Sequence, residues 1–266
     1  MSIDKAVILA AGLGNRIAKV SEIPKPFLPL DGTPEGLSFV DWHVDRLTEF
    51  GVREIYVVGN QKTCGRPLRA AARDRVKWVL NPTEDINRSG SGHSTWFAWK
   101  SEHNILDGRS RVLLMDADIF YEPALFPVLD GVKSGGHSRT LVCEEFRESN
   151  EEVMVFGHGH HPVTHGKGLL GTSLVHGLEC LGEATGMLLW EPRDHARLFE
   201  ATDWCIRYST AKEKSEHEDI TQRMMMMNAM EAALFSGLLF MECDTPEEYE
   251  HLTRDFHPRM RERVEF

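Results

Sequence analysis

The chain has 266 residues, 41% of them hydrophobic and 27% charged, with a formal net charge of −11 at pH 7. This is the composition of an ordinary globular protein, large enough to bury a core without staples, and it excludes extended disorder. The acidic balance also excludes nucleic acid as the main partner, because phosphate backbones are held by concentrated positive charge.

Near the amino terminus, KAVILAA ends in glycine and predicts a buried strand over residues 5–11. Apolar residues Phe39, Val40, Val44, Leu47 and Phe50 recur at helical spacing and stop at Gly51, which predicts a helix over residues 36–50. Strands follow at EIYVVGN and VKWVLN, then a helix over residues 91–106 and a strand at RVLLMDAD. Strands alternating with helices imply right-handed crossovers and a mainly parallel, Rossmann-like α/β sheet covered by helices on both faces. The second half is less regular. Hairpin-like strands are expected at TLVCEEF, EVMVFG and LLGTSLV, then ATGMLLW, a helix from Pro192 and a long helix over residues 218–237. A strand at LLFMEC and a helix at TPEEYEHL close the chain. An inserted, more antiparallel lobe on one α/β core is the economical architecture.

No apolar run approaches the ~20 residues needed to span a bilayer, so no membrane is expected. The stretch MSIDKAVILAAG lacks the basic and long apolar segments of a secretion signal. Cys64, Cys143, Cys180, Cys205 and Cys243 are odd in number and never form a C-x-x-C pair. They read as buried thiols of a cytoplasmic protein, not as a disulfide framework or zinc site.

In open α/β sheets the turn after the first strand is a favoured phosphate site. Gly12 and Gly14 let backbone N–H groups approach a polyphosphate, and Arg16 offers a planar fork of donors. The stretch has neither the third glycine of a dinucleotide fingerprint nor the G-x-x-x-x-G-K-[ST] of a P-loop. Lys25 stands between Pro24 and Pro26, whose rigid rings reduce the entropy lost when its ammonium is aimed. At the end of an apolar strand, Asp116 and Asp118 are two residues apart and share a face if the strand persists. Carboxylates facing a polyphosphate turn suit Mg²⁺, a hard cation that prefers oxygen. Asp244 ends another strand, just before a helix start with Thr245 as cap, Pro246 at the first position and Glu248 at the third. It is a candidate to complete a Mg²⁺ site with Asp118, Asp116 supporting.

ILAAGLGNR followed by PKPFLPLDG, then DAD and CDTPEEY, resembles the nucleoside-diphosphate-sugar pyrophosphorylase-like nucleotidyltransferases. Within them the resemblance is strongest to cytidylyltransferases acting on phosphocholine or on phosphonates such as 2-aminoethylphosphonate. The resemblance implies that Leu9, Ala10, Ala11, Gly12 and Gly14 hold the nucleotide, that Arg16 and Lys25 act on the phosphates, and that Asp118 and Asp244 hold catalytic Mg²⁺. It implies CTP as donor, with Ser91 and Ser94 in the segment that recognises the base. Lys167 is implied for the acceptor's phosphoryl group and Glu183 for its polar or cationic end. Trp204, Tyr208 and Asp219 are candidates for an amine pocket built from cation–π and ionic contact. The expected organisation is a single domain over residues 1–266, with a nucleotide-binding half over 1–130, an acceptor lobe over 131–236 and a closing strand and helix over 237–266. A homodimer stays open.

Two features suit bland explanations. His158, His160, His161 and His165 lack the partner carboxylates or cysteines of a metal site, and an exposed hairpin tip accounts for them. Met224 to Met227 are consecutive on a predicted helix and point in all directions, as on a buried helix. Three alternatives remain at this level. One is a sugar-1-phosphate nucleotidyltransferase using UTP or dTTP. The second is a glycosyltransferase reading DAD as its metal motif, and the third is a non-catalytic nucleotide-binding module.

Overall fold

The computed structural model describes residues 3–17, 21–131, 136–146 and 152–264. Its first half follows the apolar pattern: β1 (Lys5–Leu9), α1 (Phe39–Glu49), β2 (Glu54–Gly59), β3 (Val76–Leu80), α2 (Ser91–Lys100), β4 (Val112–Asp116), β5 (Ile119–Tyr121) and α3 (Leu125–Asp130). There follow β6 (Ser138–Cys143), β7 (Met154–His158), β8 (His161–Gly166), β9 (Glu179–Trp190), α4 (His195–Tyr208) and α5 (His217–Met226). The chain closes with β10 (Met230–Phe235), β11 (Phe240–Glu242), α6 (Pro246–His251) and α7 (His257–Arg263).

Among the described residues the main sheet runs β10-β6-β9-β4-β1-β2-β3. β1 lies between β2 and β4, parallel to both, and β10 is parallel to β6. β9 alone in that order runs antiparallel, between β4 and β6, and its far end carries the β7–β8 hairpin. The fold is therefore the expected mainly parallel α/β sheet with an antiparallel extension. Alternate residues of β1 serve opposite faces, as a strand's period of two requires. Ala6 and Ile8 join a core with Phe39 and Trp42 of α1, whereas Val7 and Leu9 join one with Trp99 of α2 and Leu198 of α4. A capping box starts α1: the Ser38 hydroxyl accepts from the Asp41 N–H while the Asp41 carboxylate accepts from the Ser38 N–H.

Four local expectations are corrected. The helix expected over residues 91–106 ends at Lys100. The long helix expected over 218–237 stops at Met226, because Asn228 takes a left-handed backbone (φ 52) that no helix continues, and the chain returns as β10 beside β6. Met224 and Met225 are accordingly buried while Met226 is 76% exposed. The partner of β7 is β8, drawn from the histidine-rich stretch, and residues 169–175 form no strand. Only Gly159 and His160 make that hairpin's tip, and His165 is buried. The strand expected over 238–243 shortens to β11, which pairs with β5 outside the main sheet.

The left-handed Asn228 gives a direct test. Asn228→Val should lower the unfolding free energy by about 1–2 kcal/mol, the cost of a Cβ-branched residue in that conformation, and Asn228→Gly should not, as read by chemical denaturation.

Candidate active site

Register fixes the site. In the parallel pairing of β1 with β4, Leu9 lies opposite Asp116, so the glycine turn and the DAD motif leave adjacent strand ends on the same edge. β11 brings the third segment: its antiparallel pairing with β5 sets Glu242 opposite Ile119, and the Cys243 N–H donates to the Asp118 carbonyl at 3.0 Å. Residues 9–16, 116–118 and 242–244 thus converge although they span most of the chain.

Leu9, Ala11, Gly12, Gly14, Arg16, Lys25, Ser91, Ser94, Asp118 and Asp244 all line one cavity of about 410 Å³. Ala10 does not; it is buried, with its N–H donated to the Val58 carbonyl at 2.8 Å. Gly14 has φ 62, and a Cβ there would sit 2.4 Å from the Lys25 Cβ, so the turn packs directly on the lysine's stem. Lys25 opens a single helical turn between its prolines and is 6% exposed. Its ammonium donates to Asp118 Oδ2 and Asp244 Oδ1, both at 2.5 Å, while Arg16 donates to Asp244 Oδ2 at 2.7 Å. Burial alone would lower the lysine's pKa, but the two carboxylates outweigh it and hold Lys25 above the ordinary lysine range.

Oxygens of Asp118, Glu242 and Asp244 lie within 4.8 Å of one another, a donor set of three carboxylates that fits a hard divalent cation. Glu242 was not singled out from the sequence, although it stands two residues before Asp244 as Asp116 does before Asp118. The residue as a whole is exposed, yet burial of its carboxyl, with the charges of Asp118, Asp244 and Asp116, raises its pKa. Asp116 stands outside that set of three, and its Oδ2 accepts from His217 Nε2 at 2.7 Å.

A second cavity of about 330 Å³ adjoins the first and shares Arg16, Asp116 and Asp244 with it. Lys167 lines it, together with Glu218, His165 and His217. Gly186 in β9 makes room for the Asp116–His217 pair: its φ is 72, and a Cβ there would meet Asp116 Oδ2 at 2.2 Å. Burial raises the Asp116 carboxyl to about 6 against the pull of His217. Burial would by itself lower the His217 imidazole, but Asp116 and Glu218 raise it to about 10. The pair is therefore charged at neutral pH.

Other acceptor candidates are not brought together. Glu183 lies on β9 beside the second cavity without lining it, and burial with the nearby Glu152 carboxylate raises it to about 7. Trp204 and Tyr208 stand on α4 and line neither cavity, and the Arg223 guanidinium lies 4.0 Å from the Trp204 ring centroid. Asp219 caps α5, accepting from the Glu216 N–H at 3.0 Å. None of these three lines either of the two cavities. On the opposite side of the cleft, Ser91 donates from its backbone and hydroxyl to Glu216 Oε2, both at 2.6 Å, and its hydroxyl accepts from the His217 N–H at 2.8 Å. Ser94 Oγ accepts from Asn81 at 3.0 Å. The starts of α2 and α5 are stitched together, a link that residues 125 positions apart could not announce in sequence.

A family model described as the MobA-like NTP transferase domain matches residues 6–187. The chain belongs to this family. The match takes in the glycine turn, Arg16, Lys25 and Asp118, and leaves Glu242 and Asp244 outside it. Over 125 residues the chain is 32% identical to a CMP-5'-(3-aminopropyl)phosphonate synthase of Streptomyces rubellomurinus, covering 46% of this chain and 18% of that protein. Over 112 residues it is 30% identical to a bifunctional protein GlmU of Thermoanaerobacter pseudethanolicus, covering 42% of this chain and 21% of that one. The matches thus span about a fifth of the curated relatives' length. The inositol-1-phosphate CTP transferase from T. maritima shares the fold, with TM-score 0.68, 17% identity and 96% of each chain covered. A putative glucose-1-phosphate thymidylyltransferase from Bacillus anthracis does so with TM-score 0.66 and 12% identity, over 94% of this chain and 93% of that one. No helix among the described residues is long and apolar enough to cross a membrane.

The raised His217 carries a pH signature. A histidine whose folded pKa exceeds the unfolded value contributes stability that is fully present below about pH 6.5 and is lost as pH rises through about 10. Asp116 is already ionised in that window. Thermal melts from pH 7 to 10 should therefore fall more steeply for wild type than for His217→Gln, whose amide does not titrate.

Proposed function

We propose that this chain transfers CMP from CTP to a small phosphonate or phosphate acceptor, releasing pyrophosphate with the support of Mg²⁺. The observation that carries the proposal is the meeting of two cavities at Arg16, Asp116 and Asp244, one lined by the phosphate turn and the other by Lys167. The nucleotide would occupy the first and the acceptor the second, which makes the extension from β7 to β9 and α5 the acceptor lobe. The name of the Streptomyces relative supports cytidine and an aminoalkylphosphonate.

Mg²⁺ would be held by Asp118, Glu242 and Asp244 and would supply neutralising charge to phosphate oxygens. The remaining work falls to the chain's own groups. Backbone N–H groups of the turn and the Arg16 guanidinium hold the triphosphate, and Lys25 offsets charge that develops on it. An acceptor with its second ionisation near pH 6 is already anionic at neutral pH, so no general base is needed. Its oxygen forms a bond to the α-phosphorus while the α–β P–O bond breaks, and pyrophosphate leaves with the electron pair. Catalysis then consists of orienting two anions that repel each other.

The second cavity is acidic on balance, with Asp116, Glu152, Glu218, Glu242, Asp244 and Glu248 against Arg16, the exposed Lys167 and a charged His217. That balance suits a zwitterion, anionic toward Lys167 and cationic toward the glutamates, better than a neutral sugar. No Phe, Tyr or Trp is among its lining residues in the described part of the chain, and quaternary ammonium groups are held by aromatic cages. An aminoalkylphosphonate is therefore favoured over phosphocholine. All five cysteines are free, which suits the reducing cytoplasm.

The deciding experiment measures pyrophosphate released with Mg²⁺, each of four nucleoside triphosphates, and a panel of aminoalkylphosphonates, phosphocholine and sugar phosphates. CTP with an aminoalkylphosphonate should give the highest kcat/KM, and trimethylating the amine should lower it by about tenfold or more. Activity confined to sugar phosphates would overturn the proposal in favour of a sugar-1-phosphate nucleotidyltransferase. Lys25→Ala and Asp118→Ala should each lower turnover by about 10²-fold or more while circular dichroism stays that of wild type; near-normal turnover in either would remove those residues from the mechanism.

A further inference from the structure

Both carboxylate oxygens of Asp244 are already taken by cations of the chain. Oδ1 accepts from the Lys25 ammonium at 2.5 Å and Oδ2 from the Arg16 guanidinium at 2.7 Å. Asp118 offers its Oδ2 to the same ammonium at 2.5 Å. These are two of the three carboxylates suited to a divalent cation. A metal ion at about 2.0–2.1 Å from those oxygens, with the ammonium still bonded to them, would set like charges nearly in contact. Lys25 is 6% exposed, so solvent does little to screen them. The ammonium and the metal therefore compete for one set of ligands.

We propose that the cluster admits its divalent cation only together with a triphosphate, and that Lys25 is the built-in counter-ion that occupies the ligands until then. It rests on the nucleotidyl-transfer reading for the identity of the triphosphate. What the triphosphate adds is a second set of anionic oxygens to which Lys25 and Arg16 can turn. The phosphate turn is packed on the lysine's stem at Gly14, which keeps the two anion sets close. Pro24 and Pro26 fix the backbone on either side, so the exchange is a rotation of the lysine side chain and leaves the loop in place. Arg16, whose side chain is 59% exposed, swings without unpacking a core. By linkage, metal and nucleotide each tighten the other's binding by the same factor, and Lys25 sets much of that factor.

Mn²⁺ is the probe, with free ion read by electron paramagnetic resonance in the presence of the full chain, alone and with CTP, and with CTP's own chelation measured separately. Wild type alone should bind Mn²⁺ weakly, and CTP should tighten binding by about tenfold or more. Lys25→Met, which leaves the carboxylates without the ammonium, should bind Mn²⁺ alone about tenfold or more tightly than wild type, and CTP should then add less. Unchanged or weaker binding by Lys25→Met with a wild-type melting transition overturns the proposal. So does wild-type protein that binds Mn²⁺ equally well with and without nucleotide, a measurement that needs no variant. ATP, GTP and UTP are run in parallel, so a wrong base assignment does not imitate failure. Since no acceptor is present, metal occupancy is read independently of pyrophosphate release, and the two proposals fail separately.

Discussion

A buried ammonium held by two carboxylates ties together three parts of the chain that are far apart in sequence. Lys25 follows the first strand, Asp118 follows β4 and Asp244 follows β11; β1 and β4 end on one edge of the main sheet, and β11 reaches the same point by pairing with β5 outside it. Taking an ammonium out of water is unfavourable unless anions compensate it, and clustering carboxylates is unfavourable unless cations do. Each requirement meets the other here. The glycine turn depends on the same contact, since the space a Cβ would fill at Gly14 is taken by the lysine's stem.

The Asp116–His217 pair plays a comparable part between the two cavities. Asp116 lines both, and its carboxylate is bonded to His217. The opening residues of α5 are bonded to the opening residues of α2, so the walls of the two cavities are one hydrogen-bonded unit. Walls that cannot shift independently hold the two cavities in a fixed relation to each other. Polar residues at this junction are consequently committed to one another, and Ser91 and Ser94 meet a ligand only through groups that their partners leave open.

Periodicity alone made the first half legible. Strands β1 to β4 are short apolar runs closed by turn residues, and α1 repeats apolar residues at helical spacing before Gly51. It failed where tertiary pairing outweighed local pattern. The His-rich β8 carries few strand-forming residues, yet β7 supplies its ladder. The methionine run favours helix until Asn228 reverses the backbone, and β6 then draws the following residues into the sheet. Trp204 and Tyr208 looked like an aromatic wall, but nothing in sequence says which way α4 faces.

By itself the sequence determined the glycine turn, the proline-flanked Lys25, and the aspartates at strand ends, because each depends on neighbours within a few residues: glycine for backbone freedom, proline for rigidity, an apolar run for the strand. Tertiary structure alone decided that Lys25 sits between Asp118 and Asp244, that Glu242 joins them, and that Asp116 turns to His217. Those outcomes rest on strand order and register, and a charged side chain's role is set by which opposite charges the fold buries beside it.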